Sequence, residues 1–223
     1  MNSYVFLISL YLANIFNFLM FAASVFYCYR PINPSYLRTF PIYCLANILT
    51  ETIVMLQDKG YFTTGVNNYF FYNIFTLFEL VYLSWFFTRL IRSGIAKKIV
   101  WSLNGVFFIH FFYFIASGRI QVRDASGYLI DSIILILPCL VYFRELFTHP
   151  QSGNITREPS FWIITAFLFY FSLGVPTILL NTYFKSHRMY WLSNSIYSIN
   201  NYAQILSNIL IIKGFRCRIK QPY

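Results

Sequence analysis

One stretch of the chain, residues 67–89, is long enough to cross a lipid bilayer and yet carries a carboxylate near its middle. It reads NNYFFYNIFTLFELVYLSWFFTR, and the carboxylate is Glu79. About 20 apolar residues span a bilayer as a helix, and an acid at that depth faces a cavity or a partner instead of lipid. Helical winding places Asn68, Tyr72 and Thr76 on the arc of the carboxylate. The stretch therefore predicts a membrane helix with one polar side that faces the protein interior.

The composition extends this prediction to most of the chain. Of the 223 residues, 58% are hydrophobic and only 11% are charged, against about 25% charged in soluble domains. The net charge is +10, but the basic residues stand at segment ends and in short loops and not in a stripe with exposed aromatic residues, so we expect no nucleic-acid partner. The four cysteines have no metal-ligand spacing, and we expect neither a metal nor a cofactor.

Seven apolar segments separated by short polar connections predict an all-α integral membrane protein. One domain, 1–213, contains all of them, and a basic cytoplasmic tail, 214–223, follows. The first segment has no basic leader before its apolar run, so we interpret it as an uncleaved span and not as a secretory signal. The predicted spans are about 4–27, 39–57, 67–90, 98–117, 126–147, 160–184 and 190–212.

The loops predict an orientation because cytoplasmic loops are enriched in Lys and Arg. Five basic residues fall on the side of the N-terminus: Lys59, Arg119, Arg123, Lys185 and Arg188. We therefore expect the N-terminus outside and the C-terminus in the cytoplasm, with the protein in the inner or plasma membrane of the cell. Twelve of the seventeen basic residues fall on the other side: Arg30, Arg38, Arg89, Arg92, Lys97, Lys98, Arg144, Arg157, Lys213, Arg216, Arg218 and Lys220.

Segment seven has the most regular polar pattern in the chain. Its polar residues recur at steps of three and four, so they form a stripe along nearly the whole helix. Two interpretations are open. The stripe either bonds neighbouring helices, at roughly 0.6 to 2 kcal/mol per contact, or lines a cavity. The stripe consists of Asn194, Tyr197, Ser198, Asn201, Gln204 and Asn208.

The acids inside the spans have no Lys or Arg at their depth. We expect at least some of Glu51, Glu79 and Asp131 to be protonated, hydrogen-bonded to Asn or Tyr, or bound to a cation. Asp131 stands close enough to the outer surface to reach water or Arg123 instead, and this alternative is favoured for it. Only His110 offers a positive partner deep in a span. The predicted ligand- or ion-binding residues are Glu79, Glu51, Asn68, Asn73, Thr76, His110, Asn194, Ser198, Asn201 and Gln204.

Known families with a comparable number of spans carry motifs that can be sought in the sequence. Microbial rhodopsins need a mid-membrane lysine in segment seven to bear retinal. In this chain Lys213 stands at the cytoplasmic end of segment seven, so the rhodopsin family does not fit. The zinc site of the ceramidase and adiponectin-receptor group does not fit, because His110, His149 and His187 lie in one span and two loops. The three-plus-one-plus-three plan of the SWEET and nicotinamide-riboside carriers fits the span count. The Pro-Gln pair that is characteristic of the SWEET carriers, however, is found in none of the predicted spans. No family is assigned.

Three functional hypotheses follow from this pattern. The first is a small transporter or permease that binds a small polar or cationic solute in a cavity open to the outside, with a hinge at Gly174 and Pro176 in segment six. The second is a seven-helix sensor that signals to a separate cytoplasmic protein. The third, an intramembrane enzyme that uses Glu51, Glu79 and His110, ranks below both, and no catalytic residue is assigned. The bilayer is the expected partner in every case, and a homo-oligomer is compatible with each.

Overall fold

A computed structural model describes residues 2–29, 34–61, 66–122, 124–148 and 155–217, with side chains from residue 4 onward. These residues contain seven α-helices and no β-strand, so the prediction of an all-helical protein is confirmed for the described part of the chain. Two short 3₁₀ helices, Ser35–Thr39 and Ile155–Arg157, precede α2 and α6. The helices are α1 (Asn2–Cys28), α2 (Phe40–Asp58), α3 (Asn68–Leu90), α4 (Gly94–Ala116), α5 (Ala125–Thr148), α6 (Pro159–Ser186) and α7 (Tyr190–Arg216).

The helix ends follow local sequence signals. Asn67 caps α3, with its side-chain oxygen accepting from the backbone N–H of Tyr69, and Ser93 caps α4 through Ala96. Because of this cap, α4 starts four residues before the predicted position 98. At the other end of the chain α7 continues to Arg216, so the first three residues of the predicted tail are helical.

Six of these helices, α1 to α6, are long and apolar enough to cross a membrane. Their outward faces are apolar too: Ile109 and Phe112 on α4 are 73% and 65% exposed. The six helices fit a multi-pass membrane protein. The seventh predicted span, α7, is 27 residues long, which at about 1.5 Å per residue is enough to span a bilayer, but it is not among the six because its polar stripe lowers its hydropathy.

Six helices form a closed ring, and the remaining one lies outside it. In the ring α1 packs on α2, α2 on α3, α3 on α5, α5 on α6, α6 on α7, and α7 returns to α1. The outer helix, α4, packs against α3 and α5. The polar helix α7 therefore lies between two apolar neighbours, α1 and α6, which give its stripe partners other than lipid.

The bundle has two faces, named here by the chain terminus that each one holds. The N-terminal face carries the α2–α3, α4–α5 and α6–α7 connections, and the C-terminal face carries the other three. Of the basic residues in the described part of the chain, four belong to the N-terminal face and nine to the C-terminal face. The remaining residues of the predicted topology signal, Arg30, Arg123, Arg218 and Lys220, lie outside the described residues, as do His149 and Asn154.

The C-terminal half of the bundle is filled with aromatic side chains. Phe40 at the start of α2 is completely buried, and its ring centroid lies 5.4 Å from that of Phe86, 6.2 Å from that of Phe167 and 5.1 Å from that of Phe215. These edge-on and tilted contacts join α2, α3, α6 and α7. The aromatic core, defined as Phe40, Tyr43, Tyr82, Phe86, Phe87, Phe167 and Phe215, closes this end of the ring.

Candidate functional site

A cavity of about 470 Å³ lies inside the ring. Its volume is within the range of roughly 300 to 1,000 Å³ that is typical of small-molecule sites. All six ring helices contribute side chains to its wall, whereas α4 contributes none among the described residues. The lining reaches Asp58, Asn68 and Lys185 at the N-terminal face and ends at Ile211 and at Phe167 of the aromatic core. The cavity is therefore confined to the N-terminal and central parts of the bundle.

The titratable residues of the cavity wall are mostly acidic, whereas the protein as a whole is basic. The chain has seven acidic and seventeen basic residues. Four of the acids line the cavity, whereas Lys185 is the one basic residue in the described lining. Low-dielectric walls of one sign concentrate counter-ions of the other sign. The four lining acids are Glu51, Asp58, Glu79 and Asp124.

Glu79 is held at the deep end of the cavity by a tyrosine. It is the twelfth residue of α3 and is 5% exposed. The hydroxyl of Tyr43 on α2 donates to its Oε1 at 2.6 Å. The Tyr43 ring stacks on Tyr82 of the aromatic core, with centroids 5.3 Å apart. This hydrogen bond therefore joins the predicted central carboxylate to the closed end of the bundle.

A second set of polar contacts lies nearer the N-terminal face. Tyr72 donates from its hydroxyl to Oε2 of Glu51 over 3.3 Å, and Asn68 donates from its side-chain amide to Asp58. Thr76 uses its hydroxyl to donate to the backbone carbonyl of Tyr72 at 3.0 Å. All five side chains line the cavity, so the structure brings the predicted residues of α2 and α3 into one wall.

Asn73 lines the cavity and also holds a loop. Its side-chain amide donates to the backbone carbonyls of Ile120 and Val122, each at 2.9 Å. Both carbonyls belong to the connection between α4 and α5. This residue therefore fixes that connection over α3, which is a structural task in addition to its place in the wall.

The polar stripe of α7 does both things that its pattern allowed. Asn201 donates to the Ser9 hydroxyl of α1 at 3.0 Å, and Gln204 and Asn208 both donate to Oδ1 of Asn17, at 3.3 and 2.7 Å. The three α7 residues line the cavity as well, as does Asn194. Ser198 differs, because it donates to the carbonyl of Asn194 at 3.0 Å and is not part of the described lining.

His110 lies apart from the other predicted residues. It is on α4, outside the ring, and its Nε2 is 2.9 Å from Oδ2 of Asp124. Asp124 also accepts from the backbone N–H of Gly127 at 2.8 Å, in the first turn of α5. The histidine thus fastens α4 to the start of α5 and touches the cavity only through Asp124.

Asp131 is the acid for which the structure differs from the expectation. We expected it to reach water or Arg123, but it is 0% exposed, and Arg123 lies outside the described residues. Neither carboxylate oxygen has a hydrogen-bond partner among the described residues. The position of Asp131 close to the start of its helix placed it near the outer membrane surface. That position carried no information on which helices cover the side chain.

Two tyrosines of the wall were missed by the sequence analysis. Tyr128 on α5 and Tyr170 on α6 both line the cavity and hydrogen-bond through their side chains. Gly174 makes room for them, because a Cβ at this position would lie 2.9 Å from the Tyr128 hydroxyl. With 19 tyrosines in the chain, composition did not single these two out. The α6 helix is continuous through Gly174 and Pro176, and the predicted hinge there stays a prediction.

The cavity can bind a small solute by charge and by amide and tyrosine hydrogen bonds. The described residues contain no group of three or more His, Cys, Asp or Glu side chains that could hold a metal ion. No protein-family model matches the chain, and neither a curated protein nor a solved structure is significantly similar to it.

Proposed function

We propose that the protein is a small permease that binds a cationic solute in the ring cavity and carries it across the membrane. The observation that supports this most strongly is the sign of the wall, with four carboxyl side chains and one ammonium in the described lining of a protein of net charge +10. A neutral solute can use the hydrogen bonds of such a wall but gains nothing from its carboxyl groups, and an anion is repelled by them. A cation is attracted to it and compensates the acids that have no basic partner at their depth.

Two further features support transport over a closed binding site. The cavity reaches residues of the N-terminal face, and the aromatic core lies between the cavity and the C-terminal face. Glu79 accepts a hydrogen bond from Tyr43, and the Tyr43 ring stacks in the aromatic core. A change of charge at the carboxylate therefore acts directly on a side chain of the core. A carrier needs this kind of link, because occupancy must change the closure of one end.

We also propose that all seven helices span the membrane, with the N-terminus outside and the C-terminus in the cytoplasm. The excess of basic residues at the C-terminal face supports the orientation. The burial of the α7 stripe against α1 and α6 supports a span for α7, since its polar groups have partners within the bundle. On this orientation the cavity is open to the outside.

The test uses the purified full chain in liposomes with radiolabelled tetramethylammonium and methylammonium as probes. Neutral tert-butanol and the anion acetate serve as controls of similar size. We expect saturable binding and uptake of at least one cation, and neither for the controls. Uptake without selectivity for charge contradicts the proposed site. Saturable cation binding without flux contradicts the permease and favours the sensor, because a receptor needs the cavity but no second opening.

A further inference from the structure

A second acid lies directly behind the cavity wall. Tyr128 lines the cavity, and Asp131 is three residues further along α5, which puts it on the same side of the helix one turn deeper. Asp131 is fully buried and both of its oxygens are unpartnered among the described residues. α3 packs on α5, and Asn73 of α3 is bonded to the connection just before α5. Glu79 is six residues beyond Asn73 and Asp131 is six residues beyond the start of α5, so the two carboxyl groups lie at a similar depth on neighbouring helices, one in the wall and one behind it.

The groups around this pair supply no positive charge. On α3, which packs on α5, Glu79 lies at a similar depth to Asp131, and from α2 Tyr43 donates to Glu79. From α6, Tyr170 bonds to Tyr128, and on α4 the nearest titratable group, His110, is engaged by Asp124. The described Lys and Arg residues of the helices packed on α5 stand at helix ends: Arg89, Lys97, Lys98 and Lys185.

Two adjacent buried carboxyls without a cation do not both ionise, because the charges repel and neither is hydrated. The contacts divide the roles. Glu79 accepts a hydrogen bond at 2.6 Å from Tyr43, which favours a carboxylate. Asp131 accepts none, so nothing in its described surroundings stabilises a negative charge on it. The neutral, protonated acid is the form that suits Asp131.

We propose that Asp131 and Glu79 form a proton-binding pair that holds one exchangeable proton, and that a cation entering the cavity displaces this proton. The inference rests in part on the proposed function, because the displacing cation is the proposed solute. In the exchange the O–H bond of the Asp131 carboxylic acid breaks, its electron pair stays on the oxygen, and the proton leaves through the cavity past Tyr128. The charge gained by the pair is matched by the bound cation, so the buried region keeps its net charge.

Infrared difference spectroscopy tests the proton without any solute. Purified protein in phospholipid bilayers is titrated between about pH 4 and 9, a range that brackets perturbed carboxyl groups. We expect a carboxylic C=O band in the wild type that disappears on alkalinisation and is missing in Asp131→Asn. The control Glu145→Gln removes a carboxyl that accepts from the backbone N–H groups of Arg92 and Ser93 at the C-terminal face, and it should leave the band intact. A band that survives in Asp131→Asn overturns the pair.

Proton release tests the displacement. Tetramethylammonium is added to wild-type protein in weakly buffered solution, and we expect about one proton per bound probe, falling to none in Asp131→Asn and Glu79→Gln. If both variants unfold, Ser132→Ala, which removes the neighbouring buried hydroxyl, shows whether packing alone accounts for the loss. Binding with no proton release overturns the displacement and leaves the proposed function in place. A titrating band without any probe binding overturns the proposed function and the displacement, while the shared proton stands.

Discussion

The two halves of the bundle are formed by the same helices but are filled by different side chains. Towards the N-terminal face the ring encloses a cavity lined by tyrosines, amides and carboxyls. Towards the C-terminal face the same helices pack together through buried aromatic rings. Tyr43 belongs to both halves, since its ring packs in the aromatic core and its hydroxyl holds Glu79. The difference shows that one ring of helices can keep a polar site and a closed end in separate layers.

The largest expected difference between the halves is which side of the membrane they face. A fluorescent protein fused after Tyr223 should fold and fluoresce in the cytoplasm, because basic loops are retained there. Alkaline phosphatase fused at the same residue should be inactive, and fused at the N-terminus behind an export signal it should be active. Active phosphatase after Tyr223 would reverse the orientation and place the cavity on the cytoplasmic side.

The aromatic core should carry more of the stability than the cavity wall. Phe40→Ala leaves a void among three buried rings and should cost about 3 kcal/mol in the free energy of unfolding. Phe112→Ala, at a side chain that is 65% exposed on α4, is the matched control and should cost little. Reversible unfolding in mixed micelles of a denaturing detergent measures both. Equal losses in the two variants would mean that the aromatic core is not specially stabilising.

The carboxylate at the boundary of the halves should matter for binding more than for folding. Glu79→Gln preserves the shape and an oxygen that can accept from Tyr43, but it removes the charge and the titration. We expect a folded protein whose affinity for tetramethylammonium falls about tenfold, or ~1.4 kcal/mol, and whose uptake no longer varies between about pH 5 and 8.

Glu79→Leu separates this role from packing. An apolar residue of similar volume replaces a merely buried, neutral acid with modest loss of stability. If Glu79→Leu is as stable as the wild type and Glu79→Gln keeps the wild-type pH profile of uptake, the Glu79 side chain has only a packing role. The functional assignment is then wrong.

The smallest expected effect lies at the contact of α1 with α7. Asn17 accepts from Gln204 and Asn208 at the cavity wall, and amide contacts between membrane helices are weak. A double-mutant cycle of Asn17→Ala and Asn208→Ala should give a coupling of about 0.6 kcal/mol. Detergent unfolding measures it, and Asn194→Ala with Asn17→Ala is the uncoupled control. A coupling above that of aromatic pairs in the core would invert the comparison.

The helices themselves could be predicted because the information is local. An apolar run as long as a bilayer is thick, a proline in the first turn of α2 and cap residues such as Asn67 act within a few residues of one another. The same holds for the periodic face of α7 and for the arc that joins Asn68, Thr76 and Glu79. Each of these patterns states which way a side chain faces on its own helix.

What lies opposite each side chain was decided by the tertiary structure. The sequence analysis grouped His110 with the central acids, but the position of α4 outside the ring pairs it with Asp124. It placed Asp131 near water, but α5 is covered by α3, α4 and α6, so the side chain is fully buried. Nothing in the sequence connected Tyr43, one of 19 tyrosines, with Glu79. The packing of α2 on α3 brings its hydroxyl to the Glu79 carboxylate.

The physical reason is the difference between local and long-range contacts. By itself the sequence determined the helical class, the segment bounds to within about four residues, the charge asymmetry of the loops and the polar faces. Periodicity fixes angles about one helix axis, but the order of helices in a ring and the rotation of each depend on how all of their side chains fill the shared interior at once. The cavity, the aromatic core below it and the burial of Asp131 depend on that joint packing, so only the folded bundle decided them.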